Sequence, residues 1–328
     1  MSSHHEHEHD HGHQHGHEHR HGYAHSHAHD HTHGHGHAPD TFGTAFAIAT
    51  ALNIALVVIQ IFYGVLAHSM ALLADAGHNA GDVLALLLAW GSHAISRRHP
   101  TEHYTYGFRS SSIIAALINA TVLLVVTGAI AWSAIERLFE PQPVGGTTVM
   151  IVAAIAIVIN GVAAAILSRG NTEDLNVYGA FLHLLADAAV SAGVVAAGLI
   201  ILLTGWLWVD PIASLVISGV IVWSTWGLLR DAAKMSLQGV PSQIDPGAVR
   251  FYLQSLPDVS EVHDLHIWPM STTETALTCH LVMPDRYPEA DFFDAVYAGL
   301  QQRFGIGHPT IQVERGDRQC KLSPAHVV

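Results

Sequence analysis

The sequence predicts an α-helical membrane protein, a six-transmembrane-helix bundle followed by a C-terminal cytoplasmic α+β domain. Half of the 328 residues are hydrophobic and only 12% are charged, whereas soluble domains carry about 25% charged residues. Six apolar segments are each long enough to cross a bilayer. They lie at about 42–66, 71–95, 111–138, 147–168, 176–204 and 209–235. The chain therefore divides into a tail (1–40), a six-helix transmembrane domain (41–237) and a cytoplasmic domain (238–328).

The tail is a histidine tract that we expect to be disordered in the absence of metal. Seventeen of the 28 histidines lie between His4 and His37, interleaved with Glu, Asp, Gly, Ala and Ser. So many tethered imidazoles create a high local concentration of weak metal ligands. The tract therefore favours metal binding, and a linker whose charge varies with pH is the alternative.

Basic residues predict how the six segments are oriented. The connections after segments two, four and six carry Lys and Arg. These residues are Arg97, Arg98, Arg109, Arg169, Arg230 and Lys234. The positive-inside rule places these connections and both termini in the cytoplasm. We expect no targeting peptide, and this pattern then favours a bacterial inner membrane.

The part of the chain from Pro241 onward predicts the order α-β-β-α-β. Asp245 is typical of a helix N-cap and Pro246 of the first helical position, and this helix extends to about Leu256. Two strands, an amphipathic helix and a last strand follow, at 261–268, 275–283, 289–304 and 310–315. These elements predict a small open sheet with helices on one side.

Two identical spacings of polar residues interrupt the apolar segments. His78 and Asp82 lie in segment two, and His183 and Asp187 lie in segment five. Residues four apart share one face of a helix, so each pair presents an imidazole and a carboxylate together. Two such faces supply two nitrogen and two oxygen ligands, a tetrahedral set suited to Zn²⁺. A charge at mid-membrane costs about 2.5–3.5 kcal/mol even on the mild insertion scale, which favours a metal pathway over two unrelated hydrogen-bonded pairs.

Protons compete with a metal ion for these four side chains. Metal binding needs neutral imidazole and ionised carboxylate, and histidine titrates near a pH of about 6.5 when unperturbed. A site that binds either metal or protons is the chemical basis of an antiporter. One turn before His78, Asp75 either orients a ligand histidine from behind or caps the start of the helix, and the sequence leaves both open.

Further motifs make the sequence similar to a known family. Tyr106–Arg109 reads YGFR before segment three, and His263–Trp268 reads HDLHIW in the cytoplasmic domain. With the six-segment layout and the paired His-x-x-x-Asp motifs, they resemble the cation diffusion facilitator family over residues 42–316. The resemblance implies a homodimeric exporter that exchanges cytoplasmic Zn²⁺, or a related ion such as Cd²⁺ or Co²⁺, for protons. It also implies a ferredoxin-like C-terminal domain that pairs across the dimer and senses metal.

Within the membrane, the resemblance assigns the transport site to the paired motifs. The matching residues are His78, Asp82, His183 and Asp187. Manganese-type members of the family replace the histidines with carboxylate or amide ligands. The pattern here therefore resembles the zinc branch, in agreement with the affinity of imidazole for zinc.

The resemblance implies two further metal sites outside the membrane. His99 and His103, in the loop after segment two, are candidates for a loop site, and a solvated loop is the alternative. In the cytoplasmic domain the candidate ligands of a regulatory zinc are His263, His280, His308 and Glu314. Strand histidines at a sheet edge or dimer seam are the alternative reading of this second set.

The cytoplasmic domain also departs from the family. Gln312 stands where some relatives have histidine, and Cys320 is single where some relatives have a cysteine pair. His266 should point opposite to His263 on a strand, which favours a structural role. The expected ligand set therefore leaves out Cys320 and His266.

Several other function classes are disfavoured. Only 14 residues are Lys or Arg, and without a basic run the chain is not expected to bind nucleic acid. No apolar segment carries the His-Glu-x-x-His signature of a zinc protease, so we expect neither an enzyme nor a cofactor, with Zn²⁺ acting as substrate and regulatory ion. A membrane-anchored metal sensor is the remaining alternative, and it leaves the mid-membrane charges unexplained. The expected partners are a divalent metal ion, protons, the lipid bilayer and a second copy of the chain.

Overall fold

The computed structural model of the chain describes residues 44–167, 175–317 and 320–322. The tail at 1–40, and with it the expected disorder, lies outside the described residues. Six long helices come first: α1 (Thr44–Leu66), α2 (Met70–Ser96), α3 (Ser111–Phe139), α4 (Gly146–Leu167), α5 (Leu175–Thr204) and α6 (Val209–Ser236). Each begins and ends within two residues of an apolar segment of the sequence.

Four of the described helices are long and apolar enough to cross a membrane. These stretches are Ser111–Phe139, Gly146–Ala165, Phe181–Thr204 and Val209–Ser236. α1 contributes a shorter apolar stretch at Thr50–Leu66. The polar residues of α2, among them Asp75, His78, Asn79 and Asp82, keep that helix out of the set. Length and composition therefore support membrane crossing for four of the six helices.

α2 lies at the centre of the bundle, where it contacts α1, α3, α5 and α6. α4 packs mainly along α5. A Cβ atom on Gly146 would lie 2.9 Å from the Gly198 carbonyl oxygen, so glycine at these positions allows the two backbones to approach closely. The apolar core of the bundle includes Leu72, Leu123, Val149, Val194 and Ile217.

The first backbone amides of α2 donate hydrogen bonds to two side chains, one just before the helix and one far after it in the sequence. The hydroxyl of Ser69 accepts a hydrogen bond from Leu72 N at 3.1 Å, as an N-cap does. The buried carboxylate of Asp210, at the start of α6, accepts from Met70 N at 2.6 Å and also contacts the Ser69 hydroxyl. Because this start is already capped, Asp75 lies inside the helix and does not cap it.

The C-terminal domain has the predicted order α-β-β-α-β. Its elements are α7 (Pro246–Gln254), β1 (Glu261–Pro269), β2 (Thr275–Val282), α8 (Ala290–Phe304) and β3 (Ile306–Glu314). The sheet order is β1-β2-β3, with β1 antiparallel and β3 parallel to β2. Its core contains Val249, Leu253, Leu277, Leu281 and Leu300.

The last strand begins earlier than the sequence predicted. Gly305 ends α8 with a φ of 68°, a left-handed conformation that glycine adopts at low cost. The chain then enters β3 directly at Ile306 instead of at Thr310. His308 therefore lies within β3, where it pairs with Ala276, and Glu314 pairs with Val282.

The C-terminal domain meets the bundle at the start of α3. The side chain of Arg109 contacts Glu274. The Ser110 hydroxyl donates to the Met270 carbonyl, and Thr272 N donates to the Ser112 hydroxyl, both at 3.1 Å. These contacts place the turn between β1 and β2 against the bundle.

Candidate metal centres

Two imidazoles and two carboxylates from α2 and α5 lie together, and we call His78, Asp82, His183 and Asp187 the helix cluster. His78 Nε2 is 3.0 Å from Asp187 Oδ1 and 3.9 Å from Asp82 Oδ2. His183 Nε2 is 3.5 Å from Asp82 Oδ2 and 3.7 Å from Asp187 Oδ2. Each imidazole therefore faces both carboxylates.

The distances between these ligand atoms are close to those around a tetrahedrally coordinated metal ion. Ligand atoms around zinc, with bonds of about 2.0–2.1 Å, are about 3.3 Å apart. One ligand atom from each of His78, Asp82 and Asp187 lies within 4.8 Å of the others. His183 is at the open side, with its side chain 51% exposed against 6% for Asp187. Because its Nε2 lies 3.5 and 3.7 Å from the same two carboxylates, His183 is the candidate for the fourth ligand.

A second set of buried polar residues lies beside the helix cluster. Asp75 Oδ2 accepts hydrogen bonds from Gln60 Nε2 at 2.6 Å and from Ser191 Oγ at 3.0 Å. Asn79 Nδ2 donates to Gln60 Oε1 at 2.9 Å. Apart from Asp75, sequence reasoning missed these residues. The signal that could have found them is a polar side chain within an apolar segment: Asn79 is next to His78, Ser191 is one turn after Asp187, and Gln60 lies in segment one.

In the C-terminal domain four side chains converge, and we call His263, His280, Glu314 and Cys320 the sheet cluster. One ligand atom from each lies within 4.8 Å of the others. His263 and His280 are direct partners across β1 and β2. His280 Nδ1 is 2.9 Å from Glu314 Oε1 and 3.6 Å from Cys320 Sγ.

His263 has the environment of a metal ligand. Its side chain is buried, and neither ring nitrogen has a hydrogen-bond partner among the described residues. Nε2 lies 3.4 Å from Glu314 Oε2, but the geometry does not make a hydrogen bond. Since buried polar groups are nearly always hydrogen-bonded, an imidazole of this kind is suited to an ion.

His308 does not join the sheet cluster, although the sequence grouped it there. Because β3 begins at Ile306, His308 pairs with Ala276 at one end of β2, whereas Glu314 pairs with Val282 at the other. The exposed ring of His308 instead contacts Tyr106 edge-to-face, with centroids 5.7 Å apart. Cys320, which the sequence analysis left out, lies in the cluster instead.

An irregularity in β1 alters the expected alternation of its side chains. The register shifts between His263 and His266, and Asp264 has a φ of 49°. Asp264 then contacts His266 Nε2 at 2.9 Å and His280 Nε2 at 3.4 Å. His266 is therefore connected to the edge of the sheet cluster rather than isolated on the opposite face.

The two cysteines have different environments. Cys279 is fully buried in the domain core, and burial raises the pKa of its thiol to about 12. It therefore stays protonated and is a poor metal ligand. Cys320 is only partly buried beside His280, so it is the cysteine that can serve as a ligand.

The loop histidines remain apart from both clusters. His99 and His103 are exposed between α2 and α3. Within the described ranges of the chain, neither joins a group of three or more potential metal ligands. This geometry favours the solvated-loop alternative.

Comparisons with known proteins agree with the two-part architecture. Residues 46–235 match the cation efflux transmembrane domain, and residues 241–316 match the cytoplasmic domain of cation efflux proteins. The zinc transporter ZitB of Escherichia coli is 37% identical over 258 residues, covering 78% of this chain and 82% of ZitB. The metal cation efflux system protein CzcD of Cupriavidus metallidurans is 35% identical over 268 residues, covering 81% and 85%.

A Bacillus subtilis relative extends the range of named ions. This cadmium, cobalt and zinc/H(+)-K(+) antiporter is 31% identical over 262 residues, covering 78% of this chain and 84% of the relative. The family match spans more than half of the chain, and all three relatives are more than 30% identical over more than two thirds of it. The protein therefore belongs to the cation diffusion facilitator family of metal cation efflux proteins.

Proposed function

We propose that this protein exports Zn²⁺ from the cytoplasm in exchange for protons, through the helix cluster, with Cd²⁺ and Co²⁺ as further substrates. The observation that carries the proposal is the meeting of two imidazoles and two carboxylates from α2 and α5 at 3.0–3.9 Å. The names of two relatives, a zinc transporter and a cadmium, cobalt and zinc antiporter, support the choice of ions.

The same geometry supports exchange rather than simple binding. Zinc needs both imidazoles neutral. A protonated imidazole is instead stabilised by the carboxylates that face it, because opposite charges attract strongly where water is scarce. The helix cluster can thus be loaded with a metal ion or with protons, and each load displaces the other. Access from alternate sides of the membrane would convert this competition into antiport.

We further propose that all six helices cross the inner membrane with both termini in the cytoplasm. The basic connections support this orientation, and the family description of residues 241–316 is a cytoplasmic domain. The match of these residues to a dimerisation-type domain favours a homodimer. In this proposal residues 41–237 form the transmembrane domain and residues 238–328 the cytoplasmic domain.

The sheet cluster supports a second, regulatory role for metal. His263, His280, Glu314 and Cys320 offer nitrogen, oxygen and sulfur ligands suited to zinc. An ion there would join β1, β2 and the segment after β3. We also propose that the histidine tract collects Zn²⁺ at low concentration. Deleting residues 4–37 should then reduce zinc uptake into vesicles at low zinc, and unchanged uptake would contradict this role.

Zinc flux into proteoliposomes under an imposed pH difference tests the proposed function. Wild type should move zinc in a manner that depends on the pH difference, and Asp187→Ala should not move it. Asp231→Ala, on α6 beside Ser242, is the matched control and should behave as wild type. Zinc flux that does not depend on the pH difference would refute proton exchange. Near-normal flux in Asp187→Ala would refute the assignment of the helix cluster as the transport site. If the protein were instead a membrane-anchored metal sensor, it would bind zinc but would not move it across the bilayer.

A further inference from the structure

Two buried polar atoms on α2 have no hydrogen-bond partner among the described residues, Asp75 Oδ1 and His78 Nδ1. The residues are three positions apart, so their side chains lie on one face of the helix. A buried polar atom without a partner destabilises the folded protein. One of these atoms accepts hydrogen bonds and the other can carry a proton, so the two are complementary.

The other ring nitrogen of His78 faces the helix cluster. Nε2 lies 3.0 Å from Asp187 Oδ1 and 3.9 Å from Asp82 Oδ2. A neutral imidazole carries one N–H, so an ion bound at Nε2 requires the proton on Nδ1. Metal-bound histidines almost always donate this second N–H to a carboxylate, a carbonyl or water, which fixes the ring and its tautomer.

The second oxygen of Asp75 is held from two neighbouring helices. Oδ2 accepts from Gln60 Nε2 on α1 and from Ser191 Oγ on α5. Asp75, Gln60 and Ser191 are all fully buried. Because these donors fix Oδ2, the carboxylate is oriented independently of His78 and keeps Oδ1 available on the same face of α2.

We propose that Asp75 is a positioning residue of the transport site: when an ion is bound at Nε2, Oδ1 accepts a hydrogen bond from His78 Nδ1–H, a contact that is not made in the structure described here. This inference rests on the proposed function. It resolves the two roles that the sequence left open for Asp75 in favour of orienting the histidine. It also gives a purpose to a carboxylate that is buried in the membrane domain yet outside the helix cluster.

Asp75→Asn is the sharpest variant because it keeps the size and shape of the side chain. Its single oxygen stays with the Gln60 and Ser191 donors, so its NH₂ group then faces His78 Nδ1. Two donors facing each other favour the wrong tautomer, with the proton on Nε2. Loss of such a supporting contact typically lowers metal affinity about 10–100-fold. The KM for zinc should rise by this factor, with a much smaller change in kcat.

Asp231→Asn is the matched control. It makes the same chemical change on α6, where the carboxylate contacts only the Ser242 hydroxyl near the surface, so its KM should equal that of wild type. All variants are full-length chains in proteoliposomes, assayed with Zn²⁺ alone over a range of concentrations. Melting temperatures of the detergent-solubilised proteins check that each variant is folded.

The outcomes separate the two proposals. If wild type moves zinc and Asp187→Ala does not, but Asp75→Asn keeps the wild-type KM, the role of Asp75 is overturned while the transport site stands. An equal rise in KM for Asp231→Asn would also overturn it, since the effect would then not depend on the position of the carboxylate beside His78. If wild type moves no zinc, or Asp187→Ala moves it normally, the proposed function itself fails.

Discussion

His78 Nε2 lies 3.0 Å from Asp187 Oδ1, a contact between residues 109 positions apart in the chain. It joins α2 to α5 and closes the helix cluster on its more buried side. His183, which is more exposed, approaches the same two carboxylates from the open side. The two histidines therefore have unequal access to solvent, although the sequence gives them identical motifs.

His78→Asp should shift ion preference away from zinc. The variant exchanges an imidazole for a carboxylate, and oxygen ligands suit manganese better than imidazole does. We expect the ratio of Mn²⁺ to Zn²⁺ uptake to rise about tenfold, which corresponds to about 1.4 kcal/mol of altered binding. Competition between the two ions in proteoliposomes measures this ratio. His68→Asp, in an exposed turn, should keep the wild-type ratio, and an unchanged ratio in His78→Asp would argue against a direct contact with the ion.

The two cysteines should differ in their reaction with maleimide. Cys320 should react in the folded protein and be protected by zinc, because its thiol lies in the sheet cluster. Cys279 should not react, because burial raises the pKa of its thiol from 9.0 to about 12 and the thiolate is the nucleophile. Mass spectrometry of labelled peptides with and without zinc measures both. If zinc does not change the labelling of Cys320, this cysteine is excluded as a zinc ligand.

The raised pKa of Cys279 also predicts a loss of stability in alkali. The unfolded chain releases this proton near pH 9, whereas the folded domain holds it to about pH 12. The contribution of the buried thiol is thus complete below pH 9 and is lost as the pH rises from 9 towards 12. Denaturant unfolding of the full chain at a series of alkaline pH values checks this trend. Cys279→Ala should reduce this part of the decline.

Asp210→Ala should destabilise the bundle. It leaves the amides of Met70 and Ala71 without their acceptor, and each unsatisfied buried donor costs about 1–3 kcal/mol. A lower melting temperature in detergent is the expected result. Asp231→Ala, on the same helix, removes only a contact with Ser242 near the surface and should melt as wild type does. Equal melting temperatures for the two variants would contradict the capping role.

Gly198→Val should disturb the packing of α4 on α5. A Cβ at this position would lie 2.8 Å from Met150 Cγ and 3.1 Å from the Gly146 carbonyl oxygen. Overpacking of this kind costs about 1–3 kcal/mol, so the melting temperature should fall. Gly193→Val, on the same helix but with no atom within 4 Å of the added Cβ, is the control. Equal melting temperatures for the two variants would contradict a close approach of the α4 and α5 backbones at Gly198.

Much of the fold could be predicted because the lipid sets the length of each apolar helix. The paired spacings of His78, Asp82, His183 and Asp187 were equally readable, since a helix fixes which residues share a face. The sheet cluster was harder to foresee. Its composition depends on where β3 begins. Because β3 begins at Ile306, His308 lies within the strand and pairs with one end of β2, whereas Glu314 pairs with the other end. Cys320 arrives from beyond the last strand, where no periodic pattern indicates the path of the chain.

The capping of α2 by Asp210 has a consequence for how the protein is made. The acceptor for Met70 N is synthesised 140 residues later, and exposed backbone donors are poorly tolerated within lipid. The contact between Met70 N and Asp210 can therefore form only after synthesis has passed the start of α6. Until then, of the two capping side chains, only the Ser69 hydroxyl can cap α2, so this helix acquires its complete set of N-terminal acceptors late in biogenesis.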